Sequence, residues 1–152
     1  VFRIVGTRRA KDAVARFRAI PGLEVDAIDW LEPERVRDVI STFDIAVVPL
    51  TDIEWNRKLV TKLVEYLGAG VPVIASPVGD NTILLEDAES GFLASSPAEW
   101  TIRLSALMHD PSFRDAMARK GLRVVRERCL LADNVARLAG ILNTLSVRSA
   151  SA

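Results

Sequence analysis

Short apolar runs separated by helical patterns constrain the fold of this chain more than any other feature. The run DIAVVPL (44–50) is apolar at nearly every position, as strands are when both faces of a parallel sheet are covered. Strands that alternate with helices predict an α/β domain of three layers, in which helices cover both faces of a parallel sheet. The other predicted strands are VFRIVG (1–6), LEVDAI (23–28), VPVIAS (71–76) and GFLAS (91–95).

The final third of the chain is predicted to be wholly helical, with helices that pack beside the sheet. Pro97 and Pro111 suit the first turns of two of these helices. Trp100 is expected in the core, His109 in a cap or surface role at a helix end, and Cys129 as a small buried residue. The predicted helices cover 97–110, 111–128 and about 131–146.

Charge and cysteine content exclude several classes of protein. Twenty Lys and Arg residues balance twenty Asp and Glu residues, so no overall field attracts nucleic acid or an anionic membrane. No apolar run reaches the roughly eighteen residues that a membrane-spanning helix needs, and no signal peptide is recognisable. The single cysteine allows no internal disulfide, so a reducing cytoplasm is the expected location. The chain begins inside a predicted strand, which indicates a piece of a longer protein.

The segment KLVTKLVEYLGAGVPVIASPVGD (58–80) is the strongest candidate for a binding site. Its helix is predicted over roughly 57–68, after the strand DIAVVPL and before a glycine-containing loop. Free N–H groups and the helix dipole make the start of such a helix an anion site. The cationic residues near that start are Arg57, Lys58 and Lys62.

Glu65 lies about two turns into this helix, where its carboxylate could accept hydrogen bonds from vicinal hydroxyls. Together these charges suit a sugar nucleotide, with phosphate at the helix start and ribose hydroxyls on the carboxylate. A simpler interpretation is favoured by periodicity alone, because Lys62 and Glu65 are three residues apart and can pair on a solvated face.

The apolar stripe expected to face the sheet comprises Val60, Leu63, Val64 and Leu67.

This segment resembles the C-terminal domain of GT-B glycosyltransferases, especially family 4, the glycosyl transferases group 1. The shared pattern is a helix with an acidic residue, a turn with Gly, Pro and Val, a short apolar strand and a glycine-containing loop, here EYLGAGVPVIASPVGD. FDIAVVPL is similar to the family's ADVFVLPS, and LLEDAESGFLAS to its VVDGETGLLV. HDPSFRDAMARKGLRVVRER is similar to its DPELRRRMGEAARRRV. The similarity runs along nearly the whole chain and implies a Rossmann-like domain with extra C-terminal helices.

The resemblance assigns several residues to the binding of a donor nucleotide. Glu65 matches the second glutamate of the family's E-x7-E motif, which binds the ribose hydroxyls. Backbone N–H groups near Thr61 and Lys62 would meet the donor phosphates, with the charge of Lys58 nearby. The residues expected near the base are Asp29 and Trp30. The candidates for contact with the donor sugar or the cleft are Glu54, Trp55, Arg57, Gly79 and Asp80.

The chain departs from the family pattern at positions that would support catalysis. Arg57 replaces the first glutamate of the motif, and Glu54 is three residues away. Asp80 stands in place of the second glycine of the usual pair, and Ile83 in place of an acidic residue. The family implies retention at the anomeric centre, and Arg57 weakens that implication.

The resemblance implies that residues 1–152 are a single nucleotide-sugar-binding domain of a longer enzyme, without its N-terminal domain and without the first strand of this one. The whole enzyme would be a hexosyltransferase-type glycosyltransferase that uses a nucleoside diphosphate sugar. No cofactor or metal ion is expected. Catalytic residues are expected mainly in the absent domain, so the chain alone is expected to be inactive. The implied partners are the donor and that N-terminal domain, and a peripheral association of the whole enzyme with a membrane stays open.

Two other functions stay open. A nucleotide-sugar 2-epimerase of the GT-B fold would use the same donor pocket for different chemistry. A non-catalytic domain would use its helices as an interface, and Arg57 would then mark a lost activity.

Overall fold

The strands and helices of the computed structural model follow the order that the sequence predicts. The structure describes residues 1–50, 61–85 and 89–149, with side chains to Leu145 in the last helix. Its strands are β1 (Phe2–Val5), β2 (Val25–Ile28), β3 (Ala46–Val48), β4 (Val73–Ala75) and β5 (Gly91–Leu93). Its α-helices are α1 (Lys11–Arg18), α2 (Pro33–Ile40), α3 (Thr61–Gly68), α4 (Asn81–Leu85), α5 (Pro97–His109), α6 (Pro111–Arg128) and α7 (Leu131–Ser149).

The strands of the described residues form two parallel sheets. One sheet pairs β1 with β2, and the other has the order β3-β4-β5. The predicted α/β class with parallel strands is confirmed, and the division into two sheets was not predicted. The chain divides into two compact units, Val1–Val39 and Ile40–Ala152, and each unit contains one of the sheets.

The first unit is built around the β1–β2 pair. Phe2 lies opposite Val25 in the parallel register, and its ring packs against Phe17 of α1 with centroids 5.0 Å apart. The chain leaves β1 through Gly6, whose φ of 83° lies in the left-handed region that favours glycine. Thr7 follows directly and is buried. This turn therefore sets the position of the polar residues that follow β1.

The second unit is centred on β4. The side chains of Val73, Ile74 and Ala75 have 0% exposure, because β3 and β5 pair on either side and helices α3 and α5 contact the strand. Burial of an aliphatic side chain of this kind stabilises a fold by about 1.5–3 kcal/mol. Trp100 of α5 packs against the cluster around Ile74, so its predicted place at the core is confirmed.

Gly121 lets α3 and α6 approach closely, and Gly68 lies at a second point of contact where a β-carbon would fit. At Gly121 of α6 a β-carbon would lie 2.7 Å from Cδ2 of Leu67, and Leu67 is only 1% exposed. At Gly68 of α3 a β-carbon would lie 3.7 Å from the side chain of Val125. Because α3 contains the predicted site residues, this contact with α6 fixes the position of the site.

A capping box begins α5. The Ser96 hydroxyl accepts a hydrogen bond from the N–H of Glu99 at 3.3 Å, and the Glu99 carboxylate accepts one from the N–H of Ser96 at 3.1 Å. The N–H and hydroxyl of Ser95 also donate to that carboxylate, each at 2.7 Å. These bonds, led by that from the Ser95 hydroxyl, lower the pKa of Glu99 to about 2. Pro97 occupies the first turn, as the sequence predicts.

The last helix, α7, is exposed at every residue from Leu131 to Leu145. The sequence predicted that the C-terminal helices pack beside the sheet, and α6 does contact β5 as well as α3. The prediction is wrong for α7, because periodicity locates an apolar face of a helix without identifying anything that covers it. The exposed apolar side chains of α7 are Leu131, Val135, Leu138, Ile141, Leu142 and Leu145.

Candidate functional site

The candidate site begins where β3 and β4 end. Ser76 joins these ends, because its hydroxyl accepts a hydrogen bond from the N–H of Leu50 at 2.9 Å and its own N–H donates to the carbonyl of Val48 at 3.1 Å. Nδ2 of Asn81 donates to the carbonyl of Ser76 at 2.9 Å. Asn81 is fully buried, and its Oδ1 has no hydrogen-bond partner among the described residues. These bonds hold the loop 76–81 at the carboxyl end of β4.

This loop contains two of the predicted residues, Gly79 and Asp80. Gly79 has a φ of 52°, in the left-handed region that favours glycine. Its carbonyl accepts a hydrogen bond from the hydroxyl of Thr82 at 3.0 Å. The turn leaves Asp80 half-buried immediately before α4. Asp80 is thus held on a loop whose backbone is fixed at both ends.

The helix α3 supplies the facing side chains. Leu63 and Leu67 are each 1% exposed and lie in the core. Thr61 and Glu65 are exposed, and their spacing of four residues places them on one face of the helix. This face carries the polar groups of α3 toward the loop after β4.

Thr61, Glu65 and Asp80 line one cavity of about 500 Å³, within the range of about 300–1,000 Å³ that is usual for small-molecule sites. Carboxylates accept hydrogen bonds from hydroxyl groups. The helix α3 contributes Thr61, Val64 and Glu65. The loop after β4 and α4 contribute Asp80, Ile83 and Leu84. The junction between α6 and α7 contributes Arg128, Cys129 and Asn134.

Two pKa values beside this cavity are raised. Burial raises the pKa of the Tyr66 phenol, and the negative charge of Glu65 raises it further. Burial also raises the pKa of the Cys129 thiol, and the positive charge of Arg128 partly opposes that effect. Both groups are therefore uncharged at neutral pH. The charged residues that line the cavity are Glu65, Asp80 and Arg128.

The predicted residues of α3 differ in whether they line the cavity. Glu65 and Thr61 reach the cavity, whereas Lys62 is exposed and does not line it. Among the described side chains, Lys62 and Glu65 form no ion pair, so the simpler surface-pair interpretation gains no support. Val64 was expected to face the sheet, and that expectation is wrong. The side chain is half-buried and lines the cavity, because the apolar stripe is wider than the surface that the core covers.

Asp29 and Trp30 belong to the first unit, and each contacts a residue that follows β1. The hydroxyl of Thr7 donates to Oδ1 of Asp29 at 2.7 Å, and the guanidinium of Arg8 lies 5.4 Å from the centre of the Trp30 ring. Trp30 is 56% exposed. An exposed indole of this kind suits stacking against a planar group, and the role of this pair beside a nucleotide base stays a prediction.

Four predicted residues lie outside the described part of the chain. They are Glu54, Trp55, Arg57 and Lys58, which fall within residues 51–60. Their assignment to the donor sugar, the cleft or the phosphates therefore stays a prediction.

The junction between α6 and α7 is the part of the cavity that the sequence did not indicate. Cys129 was expected to be buried, and that expectation is wrong, because the residue is half-buried and lines the cavity. No spacing in the sequence connects it with Glu65, since only the packing of α6 on α3 brings the two together. His109 is exposed at the end of α5, as predicted, and its Nδ1 lies 2.7 Å from the Ser105 carbonyl oxygen.

A second cavity, of about 490 Å³, lies between β5, α5 and α6. Its cationic residues are engaged with the protein itself. Lys120 pairs with Glu89 at 2.5 Å and lowers the pKa of that carboxyl group, and the guanidinium of Arg103 lies 4.6 Å from the centre of the Phe92 ring. Since its charges are already paired or stacked, this cavity is a weaker candidate for a polar ligand than the one beside Glu65.

The described residues contain neither a metal-binding cluster nor a membrane-spanning helix. In residues 1–50, 61–85 and 89–149, no group of three or more His, Cys, Asp or Glu side chains could hold a metal ion. No helix in the same part of the chain has the length and apolarity to cross a bilayer.

The fold is of the α/β class, and its candidate site lies beside the loop that follows a parallel strand, where such sheets usually bind ligands. The family model described as glycosyl transferases group 1 matches residues 1–110. The chain therefore belongs to the glycosyl transferases group 1, and the predicted family is confirmed.

Two curated proteins match parts of this chain. The D-inositol 3-phosphate glycosyltransferase of Corynebacterium kroppenstedtii is 32% identical over 87 residues, which are 56% of this chain and 18% of that protein. Spore coat protein SA of Bacillus subtilis is 18% identical over 117 residues, which are 75% of this chain and 31% of that protein. The chain thus spans less than a third of the curated relatives it matches.

A solved structure supports the fold. Sucrose-phosphate synthase from Thermosynechococcus elongatus matches 93% of this chain with a TM-score of 0.77 and 19% sequence identity, over 34% of its own length. At this identity the likeness concerns the fold alone. It confirms the predicted GT-B type of α/β fold.

Proposed function

We propose that this chain is the donor-binding part of a glycosyltransferase that transfers a glycosyl group from a nucleoside diphosphate sugar to an acceptor. In this proposal Glu65 accepts hydrogen bonds from the ribose hydroxyls of the donor. Backbone N–H groups near Thr61 and Lys62 meet the phosphates, and Asp29 and Trp30 lie near the base. The leaving diphosphate is stabilised by helix N–H groups and cationic side chains, so the proposed reaction requires no metal ion.

The cavity beside α3 is the observation that carries this proposal. The surface-pair interpretation of Glu65 needs only a solvated helix face and a neighbouring lysine. Instead, the residue lines a cavity together with Thr61, Asp80 and the apolar side chain of Ile83. Two carboxylates beside apolar surface suit a ligand with several hydroxyl groups. Membership of the group 1 family supports the same ligand class.

We further propose that acceptor binding and catalysis need residues outside 1–152, so that the chain alone is inactive. The coverage of the relatives supports this, since the chain matches 18% and 31% of the two curated proteins. One wall of a cleft binds a donor without positioning an acceptor. The N-terminal domain of the same enzyme is the proposed partner.

A titration followed by NMR tests the donor site. The ¹⁵N-labelled chain is titrated separately with UDP, GDP and ADP, and the amide signals of Thr61, Glu65 and Asp80 are expected to shift and saturate with one of them. Substitution Glu65→Ala is expected to weaken that nucleotide by about 10- to 100-fold, because it removes hydrogen bonds to a charged acceptor. The matched control is Asp115→Ala, which removes an exposed carboxylate from α6 away from the cavity.

Binding of a 2′,3′-dideoxy form of the same nucleotide separates ribose recognition from other contacts. The loss of affinity caused by Glu65→Ala should nearly vanish for the dideoxy nucleotide, because that ligand lacks the hydroxyl groups that would donate to Glu65. Equal affinities of the Glu65→Ala and Asp115→Ala variants for the ribonucleotide would refute the assignment of Glu65. If none of the three nucleotides binds, the donor-binding proposal itself fails.

A binding domain without catalysis is the second candidate, and Arg57 at the position of the motif's first glutamate favours it. One relative carries the name spore coat protein SA, which names no enzyme. The two candidates differ in the activity of the longer protein that contains this chain. Release of a nucleoside diphosphate from a nucleotide sugar by that protein would exclude the second candidate, and interconversion of the donor sugar at C2 would instead indicate an epimerase.

A further inference from the structure

The junction between α6 and α7 forms a third side of the cavity beside Glu65. Arg128 ends α6, Cys129 follows it, and Asn134 lies in the first turns of α7. All three line the same cavity as Glu65 and Asp80. No motif in the sequence assigns them a role, so the folded structure adds them to the site.

The charges of the cavity indicate which part of a nucleotide it can hold. Glu65 and Asp80 are both acidic, and like charges at close range repel. A phosphate group would therefore be disfavoured between them, whereas hydroxyl groups can donate to both carboxylates. The part of the cavity between these two carboxylates is therefore suited to the ribose, whereas Arg128 places a positive charge in another part of the lining.

The side chain of Asn134 has hydrogen-bonding capacity to spare. Its Nδ2 donates to the carbonyl of Arg128 at the long distance of 3.4 Å, which marks a weak bond. Among the described residues no group donates to its Oδ1. A carboxamide has two donors and a carbonyl acceptor, so it can both donate to and accept from a hydroxyl group.

We propose that Asn134 is a ribose-binding residue, and that the α6–α7 junction forms one side of the donor cavity. A bound nucleotide then lies against the junction and covers the thiol of Cys129. This inference rests on the proposed donor site, and it adds a contact that distinguishes ribonucleotides from their deoxy forms. The Asn134 carboxamide bonds to a ribose hydroxyl while Glu65 accepts from the same diol.

Cys129 provides a reporter for this contact, because it is the single cysteine of the chain. The rate of its alkylation by N-ethylmaleimide is measured at one pH with and without saturating UDP, GDP or ADP, whichever shifts the amides of α3. We expect the bound nucleotide to slow alkylation at least about fivefold, since the half-buried thiol lines the cavity that the ligand fills. The measurement uses the unmodified chain.

The variant Asn134→Ala tests the hydrogen bond itself, and Asn143→Ala is the matched control on the exposed surface of the same helix. Asn134→Ala should lower the affinity for the ribonucleotide by about 3- to 10-fold, as expected for the loss of one neutral hydrogen bond. It should change the affinity for the 2′,3′-dideoxy nucleotide by less than about twofold, because that ligand has no ribose hydroxyl that could bond to Asn134. Asn143→Ala should change neither affinity.

The outcomes separate this inference from the donor proposal. The contact of Asn134 with the ribose is supported if the nucleotide slows alkylation of Cys129 and if Asn134→Ala lowers the affinity for the ribonucleotide alone. A nucleotide that shifts the α3 amides but leaves the alkylation rate unchanged overturns it, and so does an Asn134→Ala variant that binds like Asn143→Ala. Both of those results leave the donor site of Glu65 standing. Absence of any nucleotide binding overturns the donor proposal and this inference with it.

Discussion

Substitution Gly121→Ala tests the close contact between α6 and α3. A β-carbon at residue 121 would lie 2.7 Å from Cδ2 of Leu67 and 3.4 Å from the carbonyl oxygen of Ser90. The first distance is shorter than real carbon contacts allow, so Leu67 must move. Leu67 is 1% exposed, and a side chain so enclosed cannot turn away into solvent. The added methyl group must therefore strain the core or separate the two helices.

The expected change in stability is the difference between two opposing effects. Alanine is favoured over glycine in a helix interior by about 0.8–1.0 kcal/mol. Overpacking of a well-filled core costs about 1–3 kcal/mol. The net result is a loss of roughly 1 kcal/mol in the free energy of unfolding of the second unit. Helix propensity alone would instead predict a gain of similar size.

A second substitution isolates the steric part. In a Leu67→Ala background the nearest side-chain atom of residue 67 is its β-carbon, at 3.7 Å, so the clash disappears. Gly121→Ala should then stabilise the protein by about 1 kcal/mol through helix propensity. The coupling between the two positions is expected to be about 1–3 kcal/mol, as for residues in direct contact.

Urea titrations followed by NMR supply the measurement. The amides of Val73 and Ile74 in β4 report the second unit specifically, and the free energy of unfolding follows from their midpoint and slope. Four chains are compared, namely the original, both single variants and the double variant. If Gly121→Ala stabilises the original and the Leu67→Ala background equally, the two helices do not meet at this glycine, and the packing argument is wrong.

Two further predictions concern the second unit. Gly91→Ala would place a β-carbon 2.6 Å from the carbonyl oxygen of Val73 and 2.8 Å from Cδ2 of Leu85, so it should lower the free energy of unfolding by about 1–3 kcal/mol; an unchanged urea midpoint of the β4 amides would contradict the contact. Glu99→Gln should lower the melting temperature at neutral pH, because the folded carboxyl has a pKa of about 2 against an ordinary value of 4.5. A carboxyl group whose pKa is lowered by folding stabilises the folded state above its unfolded pKa, and this stabilisation is lost as pH falls through the folded pKa of about 2. The difference in melting temperature between the two chains should therefore disappear as pH falls from 4.5 to about 2. A pH-independent difference would refute the role of the charge.

The order of elements could be predicted from the sequence because it depends on local patterns. The run DIAVVPL contains β3, and VPVIAS contains β4. Pro97 and Pro111 begin α5 and α6, as expected for residues that lack an N–H and have a fixed φ. Each of these features is encoded within a few residues, so no knowledge of distant contacts was needed.

The pairing of strands and the walls of the cavity could not be predicted in the same way. Apolar runs identify strands without showing which of them share a sheet, and the structure divides them into two sheets. Glu65 and Asp80 were recognised from one continuous segment. Cys129 and Asn134 line the same cavity from the end of α6 and the start of α7, and Gly121 permits the close packing of α6 on α3. A contact of this kind, between distant residues, produces no periodic pattern in the sequence.

The exposure of α7 has a consequence for how loss of order would be observed. A helix without a packed face draws its order from its own backbone bonds, and isolated helices of this length are marginal in water. The turns between Leu131 and Leu145 should therefore open and close in a local equilibrium, at a free energy far below that of global unfolding. Far-ultraviolet circular dichroism would register this fraying at low denaturant, while the amides of β4 remain protected. A single melting curve for the chain would thus combine two separate processes, and only site-resolved hydrogen exchange would distinguish the helix from the sheet.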